Sequence, residues 1–292
     1  MNILRAIALM VLGMALLAGS DAFIKLASQR APIGQVMIVL SLGGAGLLFL
    51  LAWLRGLPIR LADATHRLIL MRNVFEMVGG FGMLIGLSKI PLSVMAAIMQ
   101  TAPLAVTVGA AVFLKEQVGW RRWSAVGAGL VGMLMVIRPF GADFSGWEIF
   151  AVIGVLGLAA RDLVTRMAPD HVPSIVLSAW GFTAVLPVGI AMLLFSGVPP
   201  VSHPVALWQM LGAVVVTTSG YLAVTTAMRL APASAVSPFR YSRLIFTAGL
   251  GMIVFAERPD FWTYAGSALI LGAGLYAFVR ERRVARSAGI SL

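Results

Sequence analysis

Twice in this chain an acid and a base stand four residues apart inside an otherwise apolar run. Asp21 and Lys25 lie in SDAFIKLAS, residues 20–28; Asp162 and Arg166 lie in AARDLVTRMA, residues 159–168, with Arg161 alongside. Side chains four apart share a helix face, so each pair can close an ion pair along it. Arg72 and Glu76 have the same spacing, and Arg240 and Arg243 place two cations in FRYSRLIF. Ionisable groups in an apolar setting are costly; they pair, face water or mark a pathway. Such a set can recognise a charged ligand or make and break a gate. Asp21, Glu76 or Asp162 could also carry a proton if burial favoured the protonated carboxyl. Covalent catalysis is not expected, because no Ser/His/acid set, HExxH helix or Gly-x-x-x-x-Gly-Lys loop is present. His66, His171 and His203 fall in connecting segments without ligand spacing, and there is no cysteine, so neither metal nor cofactor is expected.

The elements that must hold these charges are membrane helices. The chain is 60% hydrophobic and 11% charged, against roughly 25% charged in soluble domains. The apolar runs predict ten spans near 4–29, 33–53, 68–87, 91–114, 121–138, 146–168, 173–196, 206–228, 232–255 and 261–279, each near the length needed to cross a bilayer. The fold class is thus an all-α integral membrane protein, with the lipid bilayer as its principal partner. The net charge of +11 reads as basic loops on anionic lipid, not as a nucleic-acid surface. With the N-terminus inside, Arg55, Arg60, Arg67, Arg121, Arg122 and Arg280 gather at the cytoplasmic ends. Lys25, Arg30, Lys89, Arg138 and Arg258 are left outside. Both termini are therefore expected in the cytoplasm. Trp53, Trp120, Trp123, Trp147, Trp208 and Trp262 fall near span ends, as an interfacial belt does, while Trp180 lies deeper, against lipid or a cavity. Small residues at Gly82 and Gly86, Ser124, Ala128 and Gly132, and Ala268 and Gly272 make close-packing faces within a monomer.

Sliding the sequence by 141 residues places Asp21 on Asp162, Lys25 on Arg166, Pro32 on Pro173, Gly56-Leu57-Pro58 on Gly197-Val198-Pro199, Pro91 on Pro232 and Glu116 on Glu257 without a gap. One shared offset over so many positions indicates duplication. It also separates the apolar N-terminal run from a cleaved signal peptide, since that run matches an internal helix. The expected units are a first five-helix repeat over 1–141, a second over 142–282, and a basic cytoplasmic tail at 283–292. Five is odd, so the second repeat enters the membrane from the other side. Inverted repeats of this kind are a recurrent transporter architecture.

PLSVMAAIMQTAPLAVTVGAAVFLKEQVGW, from residue 91, and PASAVSPFRYSRLIFTAGLGMIVFAERPDFW, from residue 232, open a fourth span with Pro and close it with Glu before a Gly-rich fifth. With five plus five spans, the whole chain resembles the drug/metabolite transporter superfamily, EamA type, and within it the bacterial aromatic amino acid exporters. The resemblance implies a secondary transporter of small metabolites, with amino acid export by alternating access across the bacterial inner membrane as the expectation. Multidrug or other metabolite export is the alternative, and a membrane enzyme or a channel is a reading of a different class. A facilitator and a proton antiporter both stay open.

Counting 1.5 Å per residue from Arg5 sets Asp21 roughly 24 Å up the first span. Asp21 and Lys25 then lie towards the outer mouth, and Asp162 and Arg166, in the inverted copy, towards the inner one. Arg72, Glu76, Arg161, Asp162, Arg240 and Arg243 are expected to form an inner network. It either closes a gate or offers an Arg to a substrate carboxylate; snorkelling to lipid phosphate is the plainer reading. The repeat mates of Arg240 and Arg243 are Met99 and Ala102, so the copies share a scaffold and differ in charge. Partly from the family resemblance, spans 1, 3, 4, 6, 8 and 9 wall a cavity with Met77, Gly80, Met95, Met99, Gln100, Ser219, Tyr221, Thr225, Ser237 and Tyr241 as candidates. Met adapts to varied apolar groups, while Tyr and Gln orient ligands. Pro91 and Pro232 suit helix starts. Glu116 and Glu257 suit caps on the helix that follows each, with proton carriage as the second reading.

Overall fold

A computed structural model describes residues 3–116, 118–139, 141, 144–169, 171–231 and 236–287. The helices, in order, are α1 (Ile3–Ser28), α2 (Ile33–Leu54), the short α3 (Leu61–Ala64), α4 (Arg67–Lys89), α5 (Leu92–Met99), α6 (Ala102–Phe113), α7 (Trp120–Ile137), α8 (Glu148–Thr165), α9 (Ser174–Phe195) and α10 (Pro204–Leu230). A 3₁₀ turn (Ser237–Tyr241) then leads into α11 (Ser242–Phe255) and α12 (Phe261–Ser287). No strand occurs among the described residues. Pro232, the side chain of Ser237 and the end of the basic tail lie outside them.

Among the described residues, seven segments are long and apolar enough to cross a membrane, with α5 and α6 counted as one, Leu92–Phe113. Helix length and apolarity therefore establish fewer crossings than the ten expected. The shortfall has local causes. Helix α7 opens on Trp-Arg-Arg-Trp, α8 holds Glu148, Arg161 and Asp162, and α11 is 14 residues long with Arg243 in its first turn. Large apolar side chains such as Phe113, Phe195 and Ile253 are nonetheless outward and exposed, as lipid-facing groups are.

The fourth span of each repeat is broken, where continuous helices were expected. Helix α5 stops at Met99, and Thr101 turns its hydroxyl onto the Ile98 carbonyl at 2.6 Å. Pro103 follows; it has no N–H for the Met99 carbonyl and its ring crowds that group. In the second repeat Pro238 sits in the 3₁₀ turn. The two prolines are not repeat mates, yet both breaks end where the next helix begins, at Ala102 and at Ser242.

The chain packs as two compact units, each drawn from both repeats. One comprises residues 1–22, 91–148 and 219–292; the other comprises 23–90 and 149–218. In the first, Ala6, Met10 and Met14 of α1 pack on Ala227, Ala231 and Val236, and Gly13 lets α1 approach the backbone of α10 at Gly220. Helix α5 packs on α11, and α7 on α12. The α7–α12 seam needs glycine on both sides. A Cβ on Gly132 would stand 2.8 Å from the Gly266 carbonyl, and one on Gly266 would stand 2.5 Å from the Gly132 carbonyl. Gly272, expected on a close-packing face, has open space around it instead. In the second unit α2 lies along α9, and α4 meets α8 where Gly79 and Gly82 face Gly157 and Gly154. Close backbone contact through small residues is how helices associate where lipid removes the hydrophobic drive.

Candidate functional site

In the second unit, four charges from two helices form one network. Arg72 and Glu76 of α4 pair through Nη2 and Oε2 at 2.8 Å, and Arg72 Nη1 also donates to Asn73 Oδ1 at 3.0 Å. The other oxygen of Glu76 receives Arg161 Nη1 of α8 at 2.9 Å. Arg161 turns its Nε and Nη2 onto Asp162 Oδ1, at 3.0 and 2.7 Å. Arg72 is buried, Glu76 is partly buried, and Asp162 is the open end. Helix α9 makes room for them at Gly181, where a Cβ would stand 2.4 Å from Arg72 Nη1. The α4–α8 glycine seam, one to two turns away along both helices, brings the two charged stretches within reach. Formal charge balances at two cations and two carboxylates.

The first unit holds a second balanced pair. Arg243, in the first turn of α11, binds Asp21 of α1 with Nη2 at 2.8 Å from both carboxylate oxygens and Nε at 3.2 Å from Oδ2. Two expectations are corrected here. Arg243 does not join the network of Arg72, Glu76, Arg161 and Asp162, and Asp21 turns to Arg243, not to Lys25. Arg243 and Asp21 lie on helices far apart in the chain, and spacing along one helix cannot show which partner another helix brings. The Nζ of Lys25 donates to the Ile90 carbonyl. Arg166 likewise does not take Asp162. Helix α8 ends at Thr165, and Arg166 lies exposed in the turn beyond it. Arg240, in the 3₁₀ turn, is exposed.

Beside this pair the two repeats touch at mates. Gln100 Nε2 donates to the carbonyl of Tyr241 at 3.2 Å, and the two residues are 141 apart. Residues related by the repeat can meet only near the axis that relates the copies, so the axis passes the two helix breaks. Tyr241 fits because α12 has Gly274 there, where a Cβ would fall on the ring. Among the other expected lining residues, Met95 is fully buried, Met77, Gly80, Met99, Tyr221 and Thr225 are half-buried, and Ser219 is exposed. The Thr225 hydroxyl is spent on the Tyr221 carbonyl. The helix breaks were missed from sequence, although Pro103 and Pro238 inside apolar runs signal them.

Glu257 caps a helix, though not the one that follows it. Its carboxylate accepts from the N–H groups of Leu92 and Ser93, at 2.5 and 2.9 Å, and from the Ser93 hydroxyl at 2.8 Å. It thus caps α5, where Pro91 stands at the N-cap. Backbone geometry at Glu116 and Glu257 is alike: the preceding Lys115 and Ala256 are left-handed, and the Glu N–H groups bond the Ala110 and Gly251 carbonyls. The following helix α12 is instead capped by Asp260, which accepts from the hydroxyl and N–H of Thr263 and pairs with Arg138 at 2.8 Å. The Thr263 hydroxyl holds the Asp260 carboxyl below its ordinary range.

A solved crystal structure superimposes with a TM-score of 0.64 over 96% of this chain and 98% of that one, at 14% identity, which is a likeness of fold. Among curated proteins, the riboflavin transporter of Rhizobium johnstonii is 29% identical over 73% of this chain and 70% of its own length. The S-adenosylmethionine uptake transporter of Rickettsia bellii is 26% identical over 73% of each chain. The pseudopaline exporter of Pseudomonas aeruginosa is 28% identical over 87% of this chain and 88% of its own. The EamA-like transporter pattern matches twice, at residues 4–138 and 145–279. The chain therefore belongs to the EamA-like transporter family of the drug/metabolite transporter superfamily, as a multi-pass membrane protein built from two repeats.

Proposed function

We propose that this protein is a secondary transporter that exports small amphipathic metabolites, amino acids foremost, by alternating access across a bacterial inner membrane. It works as a monomer with both termini in the cytoplasm. The observation that carries this reading is the charge-balanced Asp21–Arg243 pair beside broken helices on the repeat axis. Non-helical backbone inside a membrane protein is tolerated where it is buried in protein or lines a cavity, and transporters use such breaks at their substrate sites. The network of Arg72, Glu76, Arg161 and Asp162 supplies a second set of ion pairs that can open and close as the repeats exchange conformations. The relatives' names include uptake and export, and riboflavin as well as an amino-acid derivative, so they support transport more than they support a direction or a substrate. Export of other metabolites or drugs is the second reading, favoured by the methionines at Met77, Met95 and Met99.

Purified protein in liposomes tests this. Labelled amino acids should enter saturably and exchange with unlabelled substrate inside. Uptake that follows an imposed pH gradient identifies proton coupling, and uptake indifferent to it identifies a facilitator. Absence of uptake for every amino acid refutes the substrate assignment and turns the assay to lipophilic drugs and larger metabolites.

A further inference from the structure

The first unit has unspent hydrogen-bonding capacity in one place. Arg243 gives Nε and Nη2 to Asp21, while its Nη1 makes no hydrogen bond among the described residues and is not sealed from the surface. Gln100 uses Nε2 on the Tyr241 carbonyl, two residues before Arg243, and its Oε1 accepts nothing among the described residues, although the residue is 9% exposed. Thr247 lies one turn after Arg243 on the same face of α11. It is 1% exposed, and its hydroxyl has no partner, not even the carbonyl four residues back that other threonines of this chain take. Buried polar groups are nearly always satisfied, so each exception calls for an explanation. Thr247 is such an exception, and with the open Nη1 of Arg243 one turn before it and the unused Oε1 of Gln100 at the helix break it points to a ligand.

Charge narrows the ligand. Asp21 and Arg243 already neutralise each other. A lone anion on Arg243 or a lone amine beside Asp21 would leave an uncompensated charge in an apolar interior, which is expensive. A zwitterion adds none. Its carboxylate can take the two free donors of Nη1, which is a charge-assisted bond. Its ammonium can take the Asp21 carboxylate or Gln100 Oε1 as acceptor. Thr247 can donate or accept. We infer that Arg243, Asp21, Gln100 and Thr247 bind the amino-carboxylate head of a net-neutral substrate. This rests on the amino-acid reading above and assigns residues to it.

The test is counterflow of labelled phenylalanine by the full chain in liposomes, with 3-phenylpropionate and phenethylamine as competitors that lack one charge each. Phenylalanine should compete at least about tenfold better than either, the ratio expected when a charged hydrogen bond is lost. Arg243→Lys and Gln100→Leu should raise half-saturation by about tenfold or more. Thr247→Val separates binding from structure. Removing a hydroxyl that bonds nothing in the protein should leave the melting temperature unchanged or higher, yet half-saturation should still rise. It also keeps the inference open to test if the arginine variant does not fold. If the wild type carries phenylalanine but both analogues compete equally, or if Thr247→Val and Gln100→Leu bind as the wild type does, the assignment is wrong and the transporter reading survives. If the wild type carries no zwitterion, the amino-acid reading itself falls, and this inference with it.

Discussion

Glu76 holds two guanidinium groups at once, one per oxygen, so neutralising it takes a carboxylate partner from both Arg72 and Arg161 and leaves Asp162 as the network's one remaining carboxylate. Breaking a buried pair from one side costs about 3–5 kcal/mol. Glu76→Gln should therefore lower the melting temperature in detergent more than removal of the open Asp162 carboxylate does. Gly181→Ala should act on the same network without touching a charge. Its methyl would arrive 2.4 Å from Arg72 Nη1 and force the guanidinium aside, at about 1–3 kcal/mol of overpacking. A Gly181→Ala protein that melts like the wild type would show that the network yields freely. The sequence made the pair Arg72–Glu76 visible, because four-residue spacing is a local rule. It could not show that Asp21 turns to Arg243 or that Glu76 reaches Arg161, since those partners come from other helices.

At the level of elements, the cap on α5 joins parts of the chain that are 165 residues apart at Leu92 and Glu257. The Glu was legible as a helix-capping residue, but its target was expected next door. A left-handed residue before it, Ala256, turns the carboxylate back towards the start of α5 instead. Gly251 is what gives it room: a Cβ there would stand 2.6 Å from Glu257 Oε2. Its repeat mate is Ala110, which carries that methyl, so the two copies of this corner are not interchangeable. Glu257→Ala should cost about 2 kcal/mol as a charged cap is lost, and Gly251→Ala should reproduce much of that loss with the carboxylate still present. Thermal unfolding of the two single variants and the double checks this. If the losses add fully, the glycine is not acting through the cap. The broken fourth spans make the same point about legibility. Apolar content read as one continuous helix in each repeat, and the prolines that interrupt them sit at unmatched positions, where repeat matching alone does not look.

For the molecule as a whole, the repeat was the strongest thing in the sequence, and the compact units still do not follow it. Inversion explains why. On the proposed inversion, a copy that enters the membrane from the other side can set its spans against the matching spans of the first, and α2 packs with α9, α5 with α11 and α7 with α12. Helices α2 and α9, and likewise α7 and α12, are counterparts at the 141-residue offset, while α5 meets α11, the counterpart of α6, so each compact unit contains both repeats. The same inversion fixes a prediction about sidedness. Ala62 and His203 are repeat mates, both exposed in connections between spans. Opposite insertion puts Ala62 in the cytoplasm with the basic ends at Arg55, Arg60 and Arg67, and His203 outside with Gln29. The chain has no cysteine, so single replacements can be read without background. A membrane-impermeant maleimide should label Gln29→Cys and His203→Cys in intact cells, and Ala62→Cys only after permeabilisation. Labelling of Ala62→Cys and His203→Cys from the same side would mean an even number of crossings between them and their repeat-related frames, and the inverted architecture would have to be abandoned. Labelling from opposite sides but in the reverse sense would keep the architecture and overturn the assignment of both termini to the cytoplasm, because the arginine bias would then have been read on the wrong face.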